Sequence, residues 1–171
     1  MGAGAHCEIE LKYLIRYPDA AMLAAQPGCA VWQITQVYLP DGENGQTRRI
    51  RRVVTGGKTL YYRTFKGFIS AMTNAEDERE ITREAYEAYF AQRDTQSNPI
   101  EKTRYRVPYQ GHVLEFDLYP FWSDRAIMEI ELEREDEAPA IPEWVEIIRD
   151  VTGDRAYKNR LLAMRVPMEA I

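Results

Sequence analysis

Residues 6–16 read HCEIELKYLIR, with Glu8, Glu10 and Lys12 at every second position and Ile9 and Leu11 between them. Successive side chains of a strand point to opposite faces, so this is a strand with one apolar face and one face carrying two acids and a base. The alternation recurs. Arg49 and Arg51 share a face in RRIRRVV, Lys66 aligns with Tyr62 and Thr64 in YYRTFKG, and Glu76, Glu78 and Glu80 align in EDEREI. In IEKTRYRV the aligned residues are Lys102, Arg104 and Arg106; further on come Glu115 with Asp117, and Glu129 with Glu131 and Glu133.

Period-2 segments rich in Val, Ile, Tyr and Thr run at about 6–16, 30–39, 47–55, 58–66, 75–82, 99–109, 112–120 and 126–134, which predicts eight strands. GENGQ at 42–46, TGGK at 55–58 and YQGH at 109–112 are the glycine-containing connections of antiparallel hairpins. Meanders of this kind close into barrels. Helical pattern is confined to YPDAAMLAAQPG after the first strand, TREAYEAYFAQRD after the fifth, and a tail reading PEWVEIIRDVTG then DRAYKNRLLAMRV. In the second of these Thr82 is an N-cap and Ala85, Tyr86, Tyr89 and Phe90 form one face. In the tail Gly153 ends one expected helix and Asp154 caps the next. The expectation is a mainly β, α+β chain with helices packed outside the sheet or across one end.

With 171 residues and 45% hydrophobic content the chain can build one sizeable core, so a single domain over residues 1–171 is expected. A net charge of −5 argues against a general nucleic-acid or membrane-surface binder, which needs a positive field. The charge is segregated: Asn44 to Ala75 holds seven Lys or Arg and no acid, whereas Ala126 to Glu137 holds six acids and one Arg. Cys7 and Cys29 fit neither a disulfide framework nor a zinc spacing and read as buried thiols. No basic segment precedes an apolar run and no stretch reaches the roughly 20 apolar residues of a span, so a cytoplasmic protein is expected.

Two readings of the polar face compete. In one it is the wet side of a sheet, with charges paired across strands. In the other it lines a closed barrel, because the face carries almost nothing except acids and bases. Buried ions on that scale must be wet, paired or bound to ligand. Arg and Lys supply donors for phosphate oxygens, and carboxylates suit Mg²⁺ or Mn²⁺. Acids and bases in one lumen therefore point to a metal-chelated polyphosphate.

The ordered set of motifs resembles the CYTH family, also called triphosphate tunnel metalloenzymes, which includes bacterial inorganic triphosphatases, thiamine triphosphatases and class IV adenylate cyclases. EIELK at 8–12 matches the ExExK signature; QVYL (36–39), RIRR (49–52), FKG (65–67), Glu78 and Glu80, IEKTRY (100–105), EFD (115–117), EIEL (129–132) and VTGDRAYKN (151–159) follow in family order. The resemblance implies an eight-stranded antiparallel tunnel that binds a triphosphate with Mg²⁺ or Mn²⁺. Carried across, Lys12, Arg49, Arg51, Lys66, Lys102 and Arg104 hold phosphates and Glu8, Glu10, Glu129 and Glu131 hold metal. Glu8, Glu10 and Lys102 take part in the chemistry; Glu78, Glu80 and Asp117 complete the wall as supporting ligands or partners of the bases.

The implied reaction is metal-assisted attack of water on a terminal phosphorus, with positioning and fixed charge supplying most of the acceleration. Inorganic tripolyphosphate is the expected substrate and a homodimer is compatible with the reading. The alternatives are a thiamine triphosphatase or adenylate cyclase, with Tyr38, Phe68, Phe121 and Trp122 as candidate mouth aromatics, and a module that binds polyphosphate or nucleotide without turnover. His6 shares the face of Glu8, although a mouth or surface position is the expectation. Two departures stand out: Glu76 occupies a place where many bacterial relatives carry Arg, and Arg155-Ala156 replaces the usual pair before the tail tyrosine.

Overall fold

The computed structural model describes residues 6–171. Its strands are β1 (His6–Arg16), β2 (Ala30–Tyr38), β3 (Thr47–Thr55), β4 (Lys58–Phe68), β5 (Thr73–Ile81), β6 (Ile100–Tyr109), β7 (His112–Leu118), β8 (Arg125–Leu132) and β9 (Ile147–Asp150). Neighbours follow the order β5-β4-β3-β2-β6-β7-β8-β1-β9, and β1 pairs again with β5. His6 to Ile9 meet Glu76 to Thr73 in antiparallel register. Eight strands thereby close into an antiparallel barrel, as expected.

Two hairpins turn on the residues that the alternation singled out. Thr55 faces Lys58 around Gly56 and Gly57, and Tyr109 faces His112 around Gln110 and Gly111. All four loop residues have positive φ, the geometry that matches a two-residue loop to the right-handed twist of its strands.

The register sorts the faces. Ile9, Leu11, Tyr13 and Ile15 of β1 join Phe116, Met128, Ile130 and Leu23 in an apolar cluster outside the barrel. Leu23 comes from the short helix α1 (Ala20–Ala24), where Asp19 accepts from the amides of Ala21 and Met22. On the far side α2 (Arg83–Ala91) lays Tyr86 on Val37, Leu39 and Ile50. Thr82 caps it through the Ala85 amide at 3.1 Å. A third cluster joins Leu14, Ile100 and Ile127 to Trp122, Tyr157 and Leu162. These are lumen-face positions one step beyond Lys12, Lys102 and Glu129, so side chains fill much of that end.

The tail departs from expectation. Instead of a helix through PEWVEIIRDVTG, Ile147–Asp150 is β9, paired with Tyr13, Leu14 and Ile15. The cause is tertiary. Because β5 starts at Thr73, the edge of β1 past Ile9 is left to other partners. The Glu10 amide bonds Met72, and β9 takes the rest. DRAYKNRLLAMRV likewise forms a 3-10 turn over Arg155–Tyr157 and only a four-residue helix α3 (Asn159–Leu162). Between β9 and this turn lies Gly153 at φ +78°, where an added Cβ would sit 2.7 Å from that of Ala71. Only glycine fits this approach to the β4–β5 turn.

Cys7 is exposed and Cys29 half-buried, against the expectation of two buried thiols. The cluster that covers Ile9 and Leu11 does not extend to Cys7. Among the described residues no helix is long and apolar enough to cross a membrane.

Candidate active site

The barrel encloses a cavity of about 350 Å³, within the size range of small-molecule sites. β1 contributes Glu8, Glu10 and Lys12, and β8 adds Glu129 and Glu131. β6 and β7 contribute Arg104, Arg106 and Glu115; β3, β4 and β5 contribute Arg49, Arg51, Lys66, Glu76 and Glu78. The wet-face reading is thus set aside: the charged face turns inward, around an enclosed space.

Ion pairs organise the wall. Arg104 reaches Glu115 at 3.1 Å and Glu129 at 3.0 Å, and grips Asp117 through Nε and Nη2 at 2.7 and 2.8 Å. Lys12 lies 3.1 Å from Glu129 and 3.7 Å from Glu10. Across the barrel Lys66 bridges Glu8 at 2.5 Å and Glu76 at 3.2 Å. Arg51 meets Glu78, which also accepts from the Thr64 hydroxyl at 2.8 Å.

Charge is distributed unevenly. Burial alone would raise the Glu129 carboxyl, but Lys12 and Arg104 outweigh it and hold the group well below the usual carboxylate range. Glu10 is the opposite case. Burial, reinforced by Glu129 and Glu8, pushes it up to about 8 against the pull of Lys12. On the basic side, burial and then the neighbouring Arg49 lower Arg51. Among the described residues, the Nε atoms of both Arg49 and Arg51 are buried and find no hydrogen-bond partner. Two adjacent guanidiniums with unused donors suit an anion by their chemistry; a carboxylate short of positive charge, set among other oxygen donors, suits a divalent cation.

Oxygen-only ligands from Glu8, Glu10, Glu129 and Glu131 fit Mg²⁺ or Mn²⁺ by donor type. Glu10 faces Glu131 in the β1–β8 register, with Glu129 beside them opposite Lys12. Among the described residues no three carboxylate, imidazole or thiol groups already converge tightly enough to chelate an ion. Lys66 and Lys12 occupy Glu8 and Glu129 instead.

Some residues expected in the lumen lie elsewhere. Lys102 and Asp117 are sealed behind the wall, their ion pair at 2.6 Å with both side chains fully buried, and neither lines the cavity. Alternation gives the face of a strand but not the depth, and here Lys102 stands over the Tyr119 ring. It therefore supports Asp117 and Arg104 without reaching a ligand in the cavity. Glu80 is exposed and outside the cavity wall, because β5 carries it past the rim opposite Tyr62. His6 is exposed, and His112 pairs with Glu137 at 2.8 Å. Tyr38 and Phe68 line the cavity, whereas Phe121 and Trp122 pack in the apolar end cluster.

The structure adds residues that had no assigned role. Trp32 and Tyr62 line the cavity, and the tail brings in Lys158 and Arg160. Arg106 stacks on Trp32 with its guanidinium carbon 4.5 Å from the ring centroid. Lys158 sits in the GDRAYKN stretch and was visible as part of a motif, but its arrival in the wall depends on β9 and the tight Gly153 turn.

Glu78 sets a pH dependence. Burial raises its carboxyl, but Arg51 and Arg49 from β3 and the Thr64 hydroxyl from β4 bring it down to about 2. A carboxyl lowered in the folded state contributes stability above its unfolded value of 4.5, and that contribution fades as pH falls toward about 2. The contribution is on the order of 2–3 kcal/mol, allowing for partial exposure. Glu78→Gln should therefore lower the melting temperature at pH 7, with the difference from the parent shrinking steadily below pH 4.5. An equal difference at pH 7 and pH 2.5 would contradict the assignment.

A closed antiparallel barrel whose lumen is lined by paired acids and bases is a tunnel protein of the charged-lumen type. The chain is 30% identical over 166 residues to the inorganic triphosphatase of Nitrosomonas europaea, spanning 94% of this chain and 99% of that relative. It therefore belongs to the CYTH, or triphosphate tunnel metalloenzyme, family. The crystal structure of the inorganic triphosphatase NE1496 superposes with a TM-score of 0.56 at 27% identity, over 94% of this chain and 97% of that one. PH1819 from Pyrococcus horikoshii OT3, at 18% identity, shares the fold with a TM-score of 0.57 over 75% of this chain and 80% of its own. No family model matches the sequence.

Proposed function

We propose that the protein is a divalent-cation-dependent triphosphatase that splits inorganic tripolyphosphate into pyrophosphate and phosphate. The observation that carries the proposal is the pair of buried Nε donors of Arg49 and Arg51, without partners among the described residues and on side chains that line the same cavity as Glu8, Glu10 and Glu129. Likeness to the inorganic triphosphatase of Nitrosomonas europaea over nearly the whole chain supports the choice of substrate.

In this reading Lys12, Arg49, Arg51, Lys66 and Arg104 grip the phosphoryl oxygens. Glu8, Glu10, Glu129 and Glu131 would hold Mg²⁺ or Mn²⁺, which when bound would offset charge on the substrate. Water attacks the terminal phosphorus, a carboxylate of the Glu8–Glu10 pair takes its proton, and the anhydride P–O bond breaks with its electron pair leaving on pyrophosphate. Fixed bases stabilise both the phosphoryl oxygens and the leaving group. Asp117, itself held by Lys102, anchors Arg104 from behind.

The test is phosphate release from tripolyphosphate, ATP and thiamine triphosphate, each with Mg²⁺, Mn²⁺ or chelator. Metal-dependent release from tripolyphosphate, at least about tenfold faster than from the other two, is expected. Preference for an organic triphosphate would replace the substrate and keep the site. No release or cyclisation with any of them would leave a polyphosphate-binding module.

A further inference from the structure

Among the described residues the tunnel wall is balanced in number, with eight acidic and eight basic side chains lining the cavity. The balance is also local. Two of the four carboxylates expected to hold a cation are occupied by bases expected to hold phosphate: Glu8 by Lys66 at 2.5 Å, and Glu129 by Lys12 at 3.1 Å and Arg104 at 3.0 Å. These side chains are at most 21% exposed, so water screens them poorly and a partner removed from any pair leaves a costly buried charge.

Consider each ligand alone. Of these four, a divalent cation entering by itself finds only Glu10 and Glu131 without a base in hydrogen-bond contact among the described residues; to gain Glu8 or Glu129 it must displace Lys66 or Lys12, leaving an ammonium group beside the new cation. A triphosphate entering by itself draws Lys66, Lys12 and Arg104 onto its oxygens and strands Glu8, Glu76 and Glu129 beside a polyanion. When both enter, Lys66, Lys12 and Arg104 find phosphate while Glu8 and Glu129 find the cation. The lack of any ready chelating trio among the described residues follows from the same interleaving.

We infer that the unliganded tunnel stores two of its cation ligands, Glu8 and Glu129, as ion pairs with its phosphate ligands, so that divalent cation and triphosphate bind cooperatively, each releasing the other's partners. The inference rests on the triphosphatase reading and extends it to the order in which the site assembles. Glu76 belongs to the device. Its carboxylate holds the other side of Lys66 at 3.2 Å, so one lysine masks two carboxylates.

The test uses Mn²⁺ and imidotriphosphate, an inorganic triphosphate analogue with nitrogen in place of the bridging oxygens. Manganese affinity is measured by electron paramagnetic resonance and by calorimetry, alone and with saturating analogue, after correction for the manganese–analogue complex in solution. Affinity should tighten by about 10- to 100-fold with analogue, and analogue affinity should tighten by the same factor with manganese. Lys66→Met should bind manganese at least about tenfold more tightly than the parent when no analogue is present, because Glu8 and Glu76 are released, and its coupling factor should shrink. Lys12→Met, which uncovers Glu129, should move in the same direction.

Equal manganese affinity with and without bound analogue would overturn the coupling while leaving the triphosphatase reading intact. Weaker or unchanged manganese binding in both lysine variants would overturn it as well. If imidotriphosphate fails to bind under any condition and tripolyphosphate is not hydrolysed, the triphosphatase reading falls and the coupling falls with it.

Discussion

Asp117→Ala should destabilise the protein by about 3–5 kcal/mol, enough to leave much of it unfolded near physiological temperature. Asp117 is fully buried and accepts from Lys102 at 2.6 Å and from Arg104 at 2.7 and 2.8 Å. Removing it strands a fully buried lysine and weakens the anchor of an arginine. Lys102 responds to the same pressure: burial first, then Arg104, lowers it to about 8 even with Asp117 in place. A joint Lys102→Met, Asp117→Leu replacement should recover most of the lost stability, since it removes both charges and keeps the volume. Urea or thermal unfolding followed by circular dichroism distinguishes the cases. A single Asp117→Ala cost below about 1 kcal/mol would show that the pair is not the sealed anchor described.

The second large effect concerns catalysis. Arg51→Ala should reduce kcat/KM for tripolyphosphate by about 10²- to 10³-fold, the loss expected when one preorganised charge is withdrawn from a desolvated reaction centre. Its fold should survive, because Arg51 lies against Arg49 and gives up repulsion as well as the Glu78 contact, and Glu78 retains Thr64. Stopped-flow phosphate release and a melting curve on the same preparation separate the two contributions. Arg51→Lys should recover little, since an ammonium group cannot reproduce the forked donor geometry. Parent-like kcat/KM in Arg51→Ala would remove this residue from the site.

The barrel was legible because its signal is strictly local. Alternation in residues 6–16 and in seven later segments, with glycine at Gly56, Gly57 and Gly111, specifies strand, face and hairpin without long-range information. The site was legible to the level of face. Glu8, Glu10, Lys12, Arg49, Arg51, Lys66, Arg104 and Glu129 line one cavity as the alternation requires. Depth was not legible, since Lys102 and Arg104 are alike in alternation while one is sealed behind the wall and the other lines the cavity. That difference arises from tilt, closure and the apolar cluster around Leu14, Ile127 and Tyr157, which only the assembled barrel defines.

The tail misled for a related reason. PEWVEIIRDVTG carries an acceptable helical pattern, but an open edge on β1 offers Ile147–Asp150 backbone partners that no local preference can match. The consequence is functional, because β9 positions Thr152, whose hydroxyl accepts from the Lys12 amide at 2.9 Å, and leads on to Lys158 in the wall. Glu76 is a further case. Its sequence position marks it only as a departure, whereas its contact with Lys66 shows which ligand it masks.

The most direct test is a crystal structure of the protein with imidotriphosphate and Mn²⁺, with the metal located by its anomalous signal. The account predicts a phosphoryl group against Arg49 and Arg51, a manganese peak beside Glu10 with Glu8 and Glu129 released from their lysines, and Lys66 turned onto a phosphate oxygen. A triphosphate bound outside the barrel, or a manganese peak away from the four glutamates, would contradict it.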